Sequence, residues 1–119
     1  MGAELTIVIP AKNEAAMLPR LLKSLCLQDY EGIGATRVIV ADAGSTDGTV
    51  ELALSFRDQL AVEVIPGGLP SVGRNAGAKL ATTKYVLFLD ADVELPEPTL
   101  LRRALWRMRA RPMERWSWR

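Results

Sequence analysis

The sequence lacks several residues and segments on which common functional classes depend. It contains no histidine, which excludes a histidine catalytic triad, a histidine metal site and a histidine general base. Its single cysteine, Cys26, excludes an internal disulfide and is typical of a reducing compartment. No apolar run approaches the roughly 20 residues of a membrane-spanning helix, and the N-terminus lacks the basic flank of a secretion signal. These absences predict a cytoplasmic protein.

Length and composition allow one small domain. The 119 residues are 49% hydrophobic and 24% charged, as in ordinary globular proteins. The charge is uneven, because residues 1–101 hold 8 basic and 13 acidic side chains, whereas residues 102–119 hold 7 arginines and one glutamate. We predict one domain over residues 1–111 and a basic, tryptophan-containing tail over residues 112–119.

Apolar runs alternate with segments of helical periodicity. Four strands are predicted, at residues 5–9, 37–41, 61–65 and 85–89. The last strand, "YVLFL", is expected to be the most buried, and Glu63 places the third strand nearer a sheet edge. Helical patterns follow every strand, and the helix over 71–81 carries small residues on its inner face. This alternation predicts the α/β class, with a mainly parallel sheet between two layers of helices.

Polar motifs follow three of the four predicted strands. They are "PAKNE" after the first, "DAGSTDG" after the second and "DAD" after the fourth. In a parallel sheet all three reach the carboxyl edge, where open α/β sheets bind their ligands. Their convergence on one edge predicts a ligand site there.

The carboxylates of "DAD" suit a divalent cation. If the strand continues through them, Asp90 and Asp92 point to the same side, about 6 to 7 Å apart. Their repulsion is then roughly 2 to 3 kcal/mol at an effective dielectric of about 20. A Mg²⁺ or Mn²⁺ ion that also binds substrate phosphates would relieve it. The alternative is that one aspartate caps the next helix and the other is solvated.

The second motif divides into structural and ligand-binding residues. Ser45 or Thr46 is placed to cap the helix that follows, and Asp47 and Gly48 are typical turn formers. Asp42 closes a buried strand before the turn begins, so its carboxylate can accept hydrogen bonds from a base or a ribose.

A further motif, "GRNAG", places Arg74 and Asn75 near the start of a helix, behind a glycine-rich segment. Arg74 suits phosphate or a base edge, and it suits an ordinary surface position equally well. The sequence contains neither the Walker loop nor the G-x-G-x-x-G dinucleotide motif.

Four ordered segments, "IVIPAKNEAAMLPRLLKSL", "VIVADAGSTDGT", "GRNAGAKLA" and "YVLFLDADVELP", together resemble the family 2 glycosyltransferases. The resemblance covers residues 4–98. It implies the GT-A fold, a three-layer α/β/α sandwich with a Rossmann-like sheet, here truncated to the half that binds a nucleotide-diphospho-sugar. It also implies an enzyme, a glycosyltransferase that depends on a divalent metal and inverts the sugar's anomeric configuration.

The resemblance assigns donor-binding roles residue by residue. It implies that the loop after the first strand meets the nucleoside through Pro10, Ala11, Asn13 and Glu14. It places Asp42 beside the base, and Arg74 and Asn75 against the donor. Asp90 and Asp92 are similar to the family's D-x-D motif, which makes Asp92 the first metal ligand and Asp90 a second ligand near the ribose.

The chain departs from the family pattern at several positions. Ala43 stands where many members have a second aspartate, so a UDP-sugar is the default donor only. Lys12 replaces a frequent aromatic residue, and Val93 replaces a third acidic one. No residue matches the general base that an inverting transfer needs, so the catalytic residue and the acceptor stay unassigned.

The basic tail allows three interpretations. It is an end without a selected role, a patch for the inner face of an anionic membrane, or a surface for homodimer formation. Nucleic acid is not expected as a partner, because the body of the chain is acidic. Two other functions compete with the transferase. One is a non-catalytic nucleotide-binding module, and the other is a sugar-phosphate nucleotidyltransferase, which usually has a glycine-rich loop that "PAKNEAA" lacks.

Overall fold

A computed structural model of the protein describes residues 4–110 and the backbone of residues 116–118. Its strands are β1 (Leu5–Ala11), β2 (Arg37–Asp42), β3 (Ala61–Pro66), β4 (Tyr85–Leu89) and β5 (Trp116–Trp118). Its α-helices are α1 (Leu18–Cys26), α2 (Thr49–Leu54), α3 (Pro70–Leu80) and α4 (Leu100–Ala110), with a short 3₁₀ helix at Ile33–Ala35. The predicted alternation of strands and helices is confirmed.

The strands form one sheet in the order β3-β2-β1-β4-β5, and every pair is parallel. The position of β3 at an edge agrees with the prediction from Glu63. The expectation that residues 85–89 are the most buried strand is wrong. β1 lies at the centre with Ile7, Val8 and Ile9 fully buried, whereas Phe88 of β4 is partly exposed.

Helices cover both faces of the sheet, as the prediction of a three-layer α/β/α sandwich requires. On one face α1, α2 and α4 share a large core with alternate residues of β1 and β4. The leucines of α1, spaced for one helical face, are all buried in it: Leu18, Leu21, Leu22 and Leu25. On the other face a smaller apolar group, Val8, Ile39 and Val86, lies beneath α3.

Two glycines let α3 lie very close to the sheet. A Cβ atom built on Gly77 would stand 2.4 Å from Cγ1 of Val8, and one on Gly73 would stand 3.1 Å from Cβ of Ala41. Both distances are shorter than ordinary carbon contacts, so α3 reaches this depth because these positions have no side chain. The close approach brings the first turn of α3 to the carboxyl ends of β1 and β2.

The segment that joins β4 to α4 is held against α1 by two buried polar side chains. Leu95 donates its N–H to Oγ of Ser24, at 3.1 Å. The Gln28 amide donates to the carbonyl of Glu97 and accepts the N–H of Leu101 at 3.0 Å. These bonds satisfy backbone groups that would otherwise be buried without partners. The segment that carries "DAD" therefore has a rigid support on its downstream side.

The start of α2 differs from the prediction, because neither Ser45 nor Thr46 caps it. The helix begins at Thr49, after Gly48, whose φ of 90° suits glycine. The N–H of Thr49 donates instead to the Asp47 carboxylate, at 3.1 Å. Ser45 is unavailable as a cap since its hydroxyl is bonded to residues outside this helix.

One element has no counterpart in the sequence prediction. Residues 116–118 form β5, whose backbone pairs with β4 from Leu87 to Leu89. The boundary between a domain over 1–111 and a tail over 112–119 stays a prediction. Within the residues that the structure describes, no helix combines the length and apolarity needed to cross a membrane.

Candidate functional site

A cleft of about 530 Å³ opens at the carboxyl edge of the sheet, where the sequence predicts a ligand site. Eleven residues line it: Pro10, Ala11, Lys12, Glu14, Ala43, Gly68, Leu69, Pro70, Asp90, Ala91 and Asp92. They come from the ends of β1, β2 and β4 and from the loop between β3 and α3. The prediction that the three motifs converge on one edge is therefore confirmed, although the second motif lines the cleft only through Ala43.

The strand order gives the cleft two chemically different halves. Its apolar half lies over the ends of β3, β2 and β1 and consists of Pro10, Ala43, Gly68, Leu69 and Pro70. Its acidic half lies over β1 and β4 and consists of Glu14, Asp90 and Asp92. Three strand spacings separate β3 from β4, roughly 14 Å. The cleft thus suits an elongated ligand with one apolar end and one end that is charged or carries a metal.

Asp90 and Asp92 do not continue the strand, contrary to the assumption behind their predicted spacing. β4 ends at Leu89, and the N–H of Val93 donates to the carbonyl of Asp90, which closes a turn. The carboxylates therefore lie on a tight turn rather than on one side of an extended strand. Both line the cleft, so the predicted pair reaches the predicted place by a different local geometry.

Arg74 contacts the site through Asp90. Its guanidinium donates to Oδ1 of Asp90 at 3.3 Å, and both side chains are partly buried. Its Nε is buried without a hydrogen-bond partner in the described structure. A buried donor without a partner carries a free-energy cost. Arg74 is thus held at the acidic half with unused hydrogen-bonding capacity.

Glu14 lies in the electrostatic field of its acidic neighbours. Burial raises the pKa of its carboxyl above the ordinary value, and the charges of Asp92 and Asp47 raise it further. Glu14, Asp90 and Asp92 place three carboxylates in this half of the cleft. A cation or a positively charged group there is favoured. Lys12, which is exposed, is the one basic residue among those that line the cleft.

Asp42 serves the loop that follows β2. Its Oδ2 accepts the N–H groups of Gly44 and Ser45, at 3.2 and 2.9 Å, and its Oδ1 accepts the hydroxyl of Ser45. These bonds form an Asx-type turn. The structure does not place Asp42 among the residues that line the cleft, although Ala43 beside it does line the cleft.

Asn13 serves the same loop from the side of β1. Its N–H donates to Oγ of Ser45 at 2.8 Å, and its Oδ1 accepts the N–H of Thr46 at 2.8 Å. Its φ of 52° lies in the left-handed region, which asparagine tolerates better than most residues. The Asp47 carboxylate adds a bond from the N–H of Ala15 at 3.1 Å. Ser45, Thr46 and Asp47 therefore hydrogen-bond within and between these two loops, as predicted, and the side chain of Asn13 does the same.

The predicted site residues fall into three groups. Pro10, Ala11, Glu14, Asp90 and Asp92 line the cleft, and Arg74 contacts Asp90. Asn13 and Asp42 hold the loops. Asn75 is exposed on α3 and is not among the lining residues. Sequence reasoning missed Lys12, Ala43, Gly68, Leu69, Pro70 and Ala91, most of which have side chains without polar atoms and were recognisable only by their position after a strand.

A larger cleft of about 740 Å³ runs along the outer face of α4, far from the strand ends. Trp106, 75% exposed, and several arginines line it. Three of those arginines are ion-paired with surface acids: Arg102 with Asp29, Arg103 with Glu97 and Arg109 with Glu4. Of the residues in the quoted sequence motifs, the larger cleft includes only Pro96, so the smaller one at the strand ends is the better candidate site.

The acidic half fits a divalent cation whose remaining coordination positions are filled by a bound ligand. Among the described residues, no three Asp, Glu, Cys or His side chains are grouped to hold a metal ion by themselves. Mg²⁺ commonly binds to one or two carboxylates plus substrate phosphates, so a third protein ligand is not required. Asp92, exposed and on the turn, and Asp90 would be those carboxylates.

The fold and the cleft define an α/β protein that binds its ligand in a crevice at the carboxyl ends of parallel strands. Residues 6–112 match the profile of glycosyl transferase family 2, and the chain belongs to that family. Over 98 residues it is 37% identical to the validoxylamine A glucosyltransferase of Streptomyces hygroscopicus subsp. jinggangensis (strain 5008). The match covers 75% of this chain and 22% of that protein.

Two solved structures share the fold. TarS 1–349 of S. aureus in complex with UDP matches with a TM-score of 0.81 and 27% identity, over 91% of this chain and 32% of that one. A mannosyltransferase of Pyrobaculum calidifontis in complex with GDP-Man and Mn²⁺ matches with a TM-score of 0.77 and 26% identity, over 91% of this chain and 33% of that one. The predictions of family and GT-A fold are confirmed. The chain spans about a fifth to a third of the length of these proteins.

Proposed function

We propose that this chain is the donor-binding part of a glycosyltransferase that takes a sugar from a nucleotide-diphospho-sugar and transfers it to an acceptor. The observation that carries the proposal is the two-part cleft across four adjacent strand ends. A nucleoside has a flat, largely apolar base, and a diphosphate is anionic. The apolar half suits the first and the acidic half, with a cation, suits the second. Likeness to structures with bound UDP and GDP-Man supports a nucleotide as the ligand.

In the acidic half, different residues have different proposed roles in binding the diphosphate. Asp92 and Asp90 are the proposed ligands of Mg²⁺ or Mn²⁺, which when bound neutralises charge on the diphosphate leaving group. Arg74 orients the Asp90 carboxylate through their ion pair. Its unpartnered Nε makes it a donor available to a phosphate oxygen after a small shift of the side chain. Lys12 at the rim adds a second positive charge.

The other residues predicted to bind the donor have different roles in this proposal. Asn13 and Asp42 act by setting the shape of the loops around the nucleoside, since their side chains bond to those loops. Asn75 has an exposed side chain, so its proposed contact with the donor needs a ligand that extends beyond the cleft. Inversion of the anomeric configuration is proposed from the family resemblance, and it is tested by NMR of the product.

The first experiment is calorimetric titration of UDP and GDP in the presence and absence of Mn²⁺. We expect metal-dependent binding that Asp92→Ala weakens by about 10-fold or more. Asp58→Ala, which removes an exposed acid far from the cleft, is the matched control and should bind as the wild type does. Absence of binding by the wild type, or equal binding by both variants, would refute the proposal.

A second candidate, a nucleotide-binding module without catalysis, is favoured by one observation. No described residue in the cleft stands out as a general base for an acceptor hydroxyl, because the acids there are those assigned to the metal and its surroundings. Assays of sugar transfer and of donor hydrolysis decide between the two. Metal-dependent turnover sustains the transferase, whereas tight binding without turnover favours the module.

The remaining partner predictions concern the outer surface. The exposed Trp106 among arginines supports contact with an anionic membrane surface, although three of those arginines are already ion-paired. The tail side chains at 112–119 lie outside the described residues, so their part in membrane contact or in a homodimer stays a prediction. Sedimentation with anionic vesicles and light scattering of the free chain test these two partners separately.

A further inference from the structure

We infer that the cleft accepts purine and pyrimidine nucleoside diphosphates with little preference between them. The inference rests on the proposed function and concerns its substrate range. Its basis is the chemistry of the apolar half: Pro10, Ala43, Gly68, Leu69 and Pro70 have no polar atom in any side chain. None of these side chains can hydrogen-bond to the edge of a base, which is how proteins distinguish one base from another.

Asp42 and Asn13, two polar side chains near the apolar half, bond to the loop after β2 and do not line the cleft. Asp42 accepts three hydrogen bonds from Gly44 and Ser45. Asn13 accepts from Thr46, and the Ser45 hydroxyl bonds to both Asn13 and Asp42. Turning Asp42 or Asn13 towards a base would break the bonds that shape the loop, and backbone N–H groups would lose their partners.

Few backbone donors of the apolar half are free, namely the N–H groups of Gly68 and Leu69, which donate to no described residue. Pro10 and Pro70 have no N–H group. The N–H of Ala43 donates to the carbonyl of Ala11 at 2.9 Å, and that of Gly67 donates to the carbonyl of Asp42 at 2.7 Å. A carbonyl oxygen accepts two hydrogen bonds, so these two carbonyls retain acceptor capacity. Uracil, cytosine, guanine and adenine all carry both N–H donors and acceptor atoms, so these free backbone donors and acceptors exclude none of the four.

The apolar half is also open enough for the larger bases. Leu69 is 74% exposed, and the side chains at Ala43 and Gly68 are the smallest available. A purine can extend towards solvent over Leu69 without meeting a bulky wall. Contact between an apolar side chain and the face of a base is sequence-tolerant, because every base has an aromatic face.

The test is calorimetric titration of UDP, CDP, GDP and ADP under one Mn²⁺ concentration. A site built to hydrogen-bond its substrate rejects the wrong one by about 10⁴-fold or more, whereas a difference of apolar contact separates substrates by about 10- to 200-fold. We expect the four dissociation constants to lie within about 10-fold of one another, at the low end of the apolar range. A spread above that value would overturn the inference.

A substitution gives a second readout. Leu69→Ala should weaken all four nucleotides by the same factor, about 3- to 10-fold, because it removes apolar contact and no base-reading group. Leu27→Ala is the matched control, since Leu27 is 72% exposed at the end of α1 and lies outside the cleft. Weakening confined to one nucleotide would contradict the inference, as would an unchanged affinity for all four.

The outcomes separate the inference from the function on which it rests. If one nucleotide binds selectively and its metal dependence is lost in Asp92→Ala, the proposed donor site is supported. Only the inference that the cleft has little preference between bases is then refuted. Failure of all four nucleotides to bind would refute the donor site and the inference together.

Discussion

Replacement of Gly77 by alanine should destabilise the protein although alanine is the better helix former. The new Cβ would stand 2.4 Å from Cγ1 and 2.9 Å from Cγ2 of Val8, a fully buried residue of the central strand. Overpacking costs about 1 to 3 kcal/mol, and a contact this short belongs at the upper end. Alanine returns about 1 kcal/mol in helix propensity. The net expected loss in unfolding free energy is about 2 kcal/mol.

Urea unfolding followed by circular dichroism measures this loss. With a denaturant slope of about 2 kcal/mol per molar, the midpoint should fall by about 1 M. Gly73→Ala is the internal control, because its Cβ would meet Ala41 at 3.1 Å and a small relaxation relieves the contact. In a Val8→Ala background the penalty at Gly77 should fall, because both Cγ atoms are gone and only the Cβ of residue 8, at 3.2 Å, remains close. A Gly77→Ala midpoint equal to or above that of the wild type would refute the close seating of α3 on β1.

Two further predictions concern stability. The Arg37 guanidinium, hydrogen-bonded to Glu63, holds the pKa of that carboxyl below its ordinary value of 4.5, so the pair stabilises the fold above that pH and its contribution is lost as pH falls through the lowered pKa. Glu63→Gln should therefore lower the free energy of unfolding at neutral pH by up to about 1 kcal/mol for a partly exposed pair, and this loss should shrink as the pH falls through the lowered pKa of Glu63. A loss that stays the same at every pH would contradict this. Asn13→Ala should cost about 1 to 3 kcal/mol because it loses the bond to Thr46 and strains a φ of 52°, whereas Asn13→Gly loses only the bond. Equal midpoints for the two Asn13 variants would show that the backbone conformation contributes nothing.

The elements of the fold follow from local sequence patterns. Continuous apolar runs such as residues 5–9 and 37–41 form strands buried on both faces, because a parallel sheet covered by helices leaves no polar side. The leucines of α1 form its buried stripe since the 3.6-residue period aligns them. The start of α4, at Leu100, does not follow from such a pattern alone. Helix ends depend on capping partners, here Gln28, which is distant in sequence.

The site was predicted in position and only partly in composition. Asp90 and Asp92 reach the cleft because they directly follow a strand, whatever the turn between them. Leu69 and Pro70 were not predicted to line the cleft, because apolar residues in a loop carry no sequence signal for ligand binding. Their role depends on the loop after β3 folding over the end of β2, which is a matter of strand order.

By itself the sequence determined the α/β class, the carboxyl edge as the place of the site and the family to which the chain belongs. These depend on periodicity, strand length and motif order, which are properties of short segments. Only the tertiary structure decided which polar side chains face a ligand and which face one another. Asn13 and Asp42 look like binding residues in the sequence, yet each bonds to the loop between β2 and α2. For Asn13 that choice follows from the approach of two loops about 30 residues apart in the chain. The bonds of Asp42 are local, to Gly44 and Ser45, and the tertiary structure decides only that this turn keeps Asp42 out of the cleft lining.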